Sequence, residues 1–421
     1  MPRNGAPTAS APPPGMIEAH MPRDQGSSDA EPSGDQLPAP SLPPEPPGRI
    51  AVVVNGNAKN VTAEVISTLD QILQGGDLFV SRSLEEADEI AQVLVSRGYG
   101  TVLTGGGDGT FSVMVTKVYA EAERQGKALP RFGFLKLGTG NALAHVVGAS
   151  GSGGGDLAAD MRRLRQDAGS REIGLVQVDG VLAPFCGFGV DAVVLQDYEA
   201  TKRLLGGTPF ARLGRGAAGY TVSSLTRSLP RYLVQRPAHC RVINRGQECY
   251  RVGPSGVVQG ASIATGEVLF EGPARLVAVA TIPYYGYGFR AFPFAEERPD
   301  RMHLRIANLS AANFVRHFPA IWRGEYQSPE RISDFLVQAV ELHMDPPTPF
   351  QVGGDFHCVT GEMRVALAAR RIRLVDFYAP PSGTAPEQPS QPPLAPALPA
   401  AGAPRVLVSA GRGPSPRAKS Q

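Results

Sequence analysis

Charge of one sign is what this chain most lacks. Its 41 Lys and Arg are nearly balanced by 39 Asp and Glu, leaving a net charge of +2. That is too small for the electrostatic footprint of a nucleic-acid-binding protein, so no nucleic-acid partner is expected. Cysteine is scarce as well: Cys186, Cys240, Cys249 and Cys358 include no CxxC pair. This argues against a zinc ribbon or a disulfide framework and for buried, reduced thiols. No run approaches the roughly 18 apolar residues of a membrane span, and the N-terminus lacks the apolar stretch of a signal peptide. The expectation is a soluble, cytoplasmic protein with no transmembrane segment.

Apolar periodicity is missing from both ends. Residues 1–47 hold 13 prolines and residues 380–421 hold 11, and both stretches read as disordered tails that bury little surface. Between them, a chain that is 42% hydrophobic and 19% charged can bury a sizeable core, in two domains. From Ile50 to about Gly169, strand and helix patterns alternate. Val61, Val65, Leu69, Ile72 and Leu73 make one helical stripe, and Leu84, Ala87, Ile90, Ala91 and Leu94 another. The second has a capping box, Ser83 with Glu86, and a glycine stop at Gly98. Residues 48–170 therefore read as a doubly wound α/β nucleotide-binding domain closed by a basic helix over Met161–Gln166. Short strands then dominate at Leu175–Val178, Cys240–Ile243, Leu276–Thr281, Met302–Ile306, Val337–Leu342 and Met363–Ala368, so residues 171–379 read as a mainly antiparallel β-sandwich substrate domain.

The most informative residues are Gly105-Gly106-Gly107-Asp108-Gly109-Thr110, which follow the apolar run Thr101–Thr104 and precede the helical spacing Phe111, Val115, Val118. Glycines let backbone approach an anion with no Cβ in the way, and the following helix aims its unpaired N–H groups and positive dipole end at the same point. Asp108 places a carboxylate where a phosphate-bound Mg²⁺ would sit, and Thr110 adds a hydroxyl. A second strand, Phe132–Leu137, runs about thirty residues later into Gly138-Thr139-Gly140-Asn141, and a third, Ile50–Val54, ends in Asn55-Gly56-Asn57-Ala58-Lys59. In an open parallel sheet all three loops fall at the carboxyl ends of strands, where ligands bind.

GGGDGT followed by GTGNALA resembles the catalytic domain shared by diacylglycerol, sphingosine and ceramide kinases, which is related to NAD kinases. Gly187-Phe188-Gly189-Val190-Asp191-Ala192 resembles the GxGxDA turn of that family, and Gly288-Phe289 with Pro293, Ala295 and Asp300 its later GG…P.A…DG stretch. The resemblance covers residues 50 to about 378. It implies phosphoryl transfer from ATP to a lipid hydroxyl in a cleft between the two domains, with Mg²⁺ bridging the phosphates. Carried over residue by residue, Gly106, Gly107, Gly109 and Thr110 would contact phosphate, Thr139 and Asn141 would complete the nucleotide pocket, and Asn55 and Lys59 would approach from the first strand end. Asp108 would serve the metal and catalysis.

The sequence departs from the family at two places. Ala142 stands where an Asp usually follows the Asn of the second loop. In Phe350-Gln351-Val352-Gly353-Gly354-Asp355, Gly353 stands at the first position of the family's DGE, whose Asp is often assigned as the base, and Asp355 at the third. The base role would then pass to Asp355, to Asp108 or to water, with His357 a nearby candidate. Two alternatives stay open: an NAD kinase-like enzyme, and a nucleotide- or lipid-binding protein without catalysis. Between Asp197 and Arg236 seven Lys and Arg meet two acids, a strip suited to anionic headgroups or simply to solvent. A lipid substrate at a membrane surface implies peripheral membrane association, and a homodimer is compatible with the sequence.

Overall fold

A computed structural model describes residues 49–189 and 236–378, except 59, 74–76, 139 and 167. Expectations resting on Lys59, Thr139, Asp191, most of the basic strip and both tails lie outside the described residues.

The first half alternates as the periodicity predicts: β1 Ile50–Asn55, α1 Ala63–Leu73, β2 Asp77–Ser81, α2 Leu84–Ser96, β3 Thr101–Gly106, α3 Asp108–Gln125, β4 Arg131–Lys136 and α4 Ala142–Val147. The closing helix, α5 Gly154–Arg165, begins earlier than its basic segment suggested. β1 to β4 are parallel in the order β2-β1-β3-β4. The chain thus winds one way from β1 and the other way from β3, and a crevice opens at that switch point. Val52, Val53 and Val54 are fully buried on both faces of β1, as expected of a strand covered by helices on both sides. α2 starts as its capping residues dictate. Ser83 accepts from the N–H of Glu86 at 3.1 Å, and the Glu86 carboxylate accepts from the N–H of Arg82 at 2.6 Å.

The second half is antiparallel: β5 Gly169–Ile173, β6 Val176–Val178, β7 Val181–Ala183, β8 Phe185–Gly189, β9 Ala238–Asn244, β10 Cys249–Val252, β11 Val258–Ile263, β12 Val268–Ala274, β13 Leu276–Ala280, β14 Met302–Ala307, α6 Ala311–Trp322, β15 Ile332–Val337, β16 Ala339–Val352, β17 Asp355–Leu367 and β18 Ile372–Asp376. β6 to β17 make one twelve-stranded sheet. It folds over along β16, whose early residues Val340–Asp345 pair with β9 and whose late residues Phe350–Val352 pair with β8. The ladder between β16 and β17 breaks between His343 and Thr348, where Pro346 and Pro347 can donate no backbone hydrogen bond. The expected single strand Val337–Leu342 is instead a corner at Gln338: β15 ends before it and β16 starts after it. β18 returns to the first domain and pairs with β4 and β5.

β13 shows how the two halves meet. Val277 and Val279 point into the core of the antiparallel domain, whereas Ala278 and Ala280 face the core shared with the α/β domain. That second face, with its small side chains, leaves room for a cleft.

Candidate active site

A cleft of about 1070 Å³ starts at the carboxyl ends of β1 and β3 and runs out over the antiparallel sheet. Its narrow polar end is built from loops that touch backbone to backbone. A methyl group at Gly138 would lie 2.2 Å from the Cα of Gly107, and one at Gly106 would lie 2.4 Å from Thr110 Oγ1. No residue but glycine fits at either place. Asn55 Nδ2 donates to Thr110 Oγ1 at 3.2 Å, joining the first strand end to the glycine loop of residues 105–110. The first hydrogen bond of α3 runs from Phe111 N to Gly107 O, so the N–H groups of Asp108, Gly109 and Thr110 have no intrahelical acceptor, and all three residues line the cleft.

Asp108 is buried at the start of α3. Its Oδ2 accepts from Ala142 N at 2.8 Å and its Oδ1 from Leu143 N at 3.1 Å. A carboxylate from one glycine loop therefore caps the helix opened by the other. Burial pushes its pKa up to about 6 despite these two N–H donors, and the charge of Asp355 adds to the rise.

Asp355 reaches the same point from the other domain. Gly353 and Gly354 form the two-residue turn between β16 and β17 with φ of 60° and 85°, the positive values that a type I′ hairpin requires. The turn is fixed by Gly353 N donating to Phe185 O at 2.9 Å and Gly354 N donating to Gln351 Oε1 at 2.9 Å. Asp355 follows it, paired with Val352, and a methyl group at Gly109 would lie 1.9 Å from its Oδ2. Among the described residues, Asp108 and Asp355 are the carboxylates that line the cleft.

Beyond them the cleft turns apolar. Neighbouring strands set its floor: Leu276 pairs with Gly189 and Ala307, and Ala307 with Ile332. Phe185, Tyr285 and Phe292 form one wall, with ring centroids 4.7 and 5.6 Å apart. Phe314, Ile321 and Trp322 of α6 form the roof, and Trp322 stacks on Phe289 at 5.4 Å. Two arginines, Arg275 and Arg305, interrupt this chamber. Arg305 lines it and gives two N–H groups to Asp334, from Nε at 2.8 Å and Nη2 at 2.9 Å, and another to Ala291 O at 2.8 Å. Asp334 is buried, which would raise its pKa, yet Arg305 and His303 hold it well below the usual carboxylate range.

Residues 49–178 match the diacylglycerol kinase catalytic domain. The chain is 28% identical over 183 residues to the probable lipid kinase YegS-like of Xanthomonas oryzae pv. oryzae, covering 40% of this chain and 57% of that protein. It is 32% identical over 158 residues to the probable lipid kinase YegS-like of Pseudomonas aeruginosa, covering 36% and 45%. The matches thus span about half the length of these relatives. Two solved structures from Bacillus anthracis str. Sterne share the fold across 78% of this chain, with TM-scores of 0.52 and 0.50 at 13% and 11% identity, and cover 97% and 96% of their own chains. The second of these is a diacylglycerol kinase.

Within the matched segment 49–178, Asn55, Gly107, Asp108, Gly109 and Thr110 come together on the cleft. Gly106 lies behind them as backing for Thr110. Asn141 does not face the cleft. It is buried at φ 51°, and its amide bonds Gly138 twice, accepting from N at 3.1 Å and donating to O at 2.8 Å. It braces the second loop. His357 pairs with Asp179 at 3.2 Å. Sequence reasoning passed over Arg305 and Ala307, because only the register of β13, β14 and β15 brings them to the chamber. α6 carried a readable helical pattern, with Phe314, Ile321 and Trp322 spaced as one face.

Proposed function

We propose that the protein transfers the γ-phosphate of ATP to the hydroxyl of an acyl lipid. The observation that carries this is one continuous cleft whose polar end is a glycine phosphate loop, whose far end is an apolar chamber, and whose two carboxylates sit at the junction. The N–H groups opening α3 bind the phosphates, and Thr110, held by Asn55, presents its hydroxyl beside them. Ala58, Arg82 and Leu84 border the same end and leave space for the base and ribose. The carboxyl pair fits a divalent cation, since Asp108 is buried next to a second acid and its pKa is raised to about 6. Mg²⁺ held by Asp108 would neutralise phosphate charge. Asp355, exposed to the cleft at the hairpin end, takes the proton from the acceptor hydroxyl, a role worth about 10²–10⁴-fold. Gly353 cannot do so, and Ala142 leaves its N–H to Asp108 instead.

The acceptor is read as a neutral ester lipid of the diacylglycerol type rather than a cationic sphingoid base. Arg305 has five N–H groups and commits three to Asp334 and Ala291. Those left can meet an ester carbonyl, whereas an ammonium offers them no acceptor. Radiolabelled ATP offered to a total lipid extract tests the reading, with the product identified by mass. A labelled diacylglycerol product is expected. Label in NAD would favour the NAD kinase-like alternative, and ATP binding without transfer would favour a binding protein.

A further inference from the structure

α6 has an apolar face that extends past the chamber into solvent. Phe314, Ile321 and Trp322 face the chamber, and Ile321 is its one buried residue. At the rim of that face Val315 is 73% exposed, and Phe318, whose ring packs on Phe314 and Trp322, is 41% exposed. An ordinary surface helix turns charged residues to water, yet Ala311–Trp322 contains no acid and shows solvent Arg316 beside those apolar groups. Arg323 follows at the C-terminal end, paired with Glu325 at 2.8 Å. Arg290, exposed, abuts the same end, its N–H donating to Trp322 O at 2.9 Å. Exposed apolar side chains ringed by arginine, with Trp322 and Tyr326 at one end, are the make-up of a helix that lies in a membrane interface.

We propose that α6 is the membrane-docking element of this protein: its exposed apolar rim, Val315 and Phe318 flanked by Arg316 and Arg290, enters the headgroup region of an anionic bilayer. Among the described residues, this helix borders the chamber on that side, so an acyl lipid passes from bilayer to chamber along its apolar face without crossing water. The inference rests on the lipid-kinase reading but concerns a different surface. The occupant is argued to be a bilayer because the flanking charge is positive; a second copy of this chain would have to bring acids to meet it.

Binding of the full chain to vesicles of equal parts phosphatidylcholine and phosphatidylglycerol, followed by flotation, tests this without any turnover. Wild type should float with these vesicles and much less with phosphatidylcholine alone. Val315→Asp and, separately, Arg316→Glu should weaken binding roughly tenfold or more. Neither residue lines the cleft, so melting temperature and turnover on a short-chain diacylglycerol in detergent micelles should stay near wild type. The proposal is overturned if wild type does not bind, if both variants bind as wild type does, or if light scattering shows that the variants dissociate a dimer while vesicle binding is unchanged. Absence of turnover in micelles by wild type would remove the kinase reading and leave the vesicle result standing.

Discussion

Gly109 and Asp355 belong to different domains and fit together only because Gly109 has no side chain: a methyl group there would stand 1.9 Å from Asp355 Oδ2. The third glycine of GGDGT thus has a steric role beside the phosphate contact proposed for it. It admits the carboxylate of the opposite hairpin to the phosphate loop.

Gly109→Ala should therefore separate fold from chemistry. Position 109 is in the first turn of α3, where alanine is at least as good a helix former as glycine. Thermal stability should change little. Asp355 must swing away, and kcat should drop by roughly tenfold or more while ATP still binds. Unchanged kcat would show that Asp355 has no part in transfer.

Asp355→Asn removes the proposed base and should lower kcat by about 10²–10⁴-fold with ATP affinity retained. Gly353→Asp should not restore it. The new side chain would need the left-handed backbone of φ 60°, and its Cβ would meet Ser112 Oγ at 2.4 Å. Instead, Gly353→Asp should destabilise the protein by about 1–3 kcal/mol, read by chemical denaturation. Recovery of turnover in Gly353→Asp, Asp355→Asn would refute this account.

Much of the polar half of the site was legible because it is local. The loops Gly105–Thr110 and Gly138–Asn141 are contiguous, sit between apolar runs and helical stripes, and carry glycines whose purpose is steric. The apolar half is not local. Leu276, Ala307 and Ile332 come from three strands and meet through register, which no periodicity reveals. The bond from Asp108 to the start of α4 links residues 34 apart. The return of β18 to the first sheet was equally invisible, since a buried strand reads the same whichever sheet receives it.

Asp108 makes stability and activity run oppositely with pH. Burial raises its pKa to about 6, so the folded state holds this proton more tightly than the unfolded one. Its stabilising contribution is complete below about pH 4 and is lost as pH rises through about 6. On the proposed mechanism turnover needs the ionised form for the cation, so it should fall as pH drops below about 6. Asp108→Asn should abolish turnover and remove this slope, gaining on wild type by on the order of 2–3 kcal/mol between pH 4 and 7. Denaturation at a series of pH values checks it. Parallel curves for the two proteins would mean that Asp108 titrates normally.

Ala307 offers a test of the chamber that leaves the phosphate end alone. It is buried in β14, opposite Leu276 and Ile332, on the floor beneath α6. Replacing it with Leu adds bulk to space that is open in this structure, so the fold should lose no more than about 1–3 kcal/mol. ATP binding should be unaffected, because no residue of Asp108–Thr110 is moved. An acyl chain, in contrast, would find its path narrowed. The expected result is a KM for long-chain diacylglycerol raised about tenfold, with a smaller change for a short-chain acceptor. Equal effects on both chain lengths would show that the acceptor's chain does not run over Ala307. Kinetics on the two acceptors in the same micelles decide between these outcomes, and a parallel melting curve guards against misfolding as the cause.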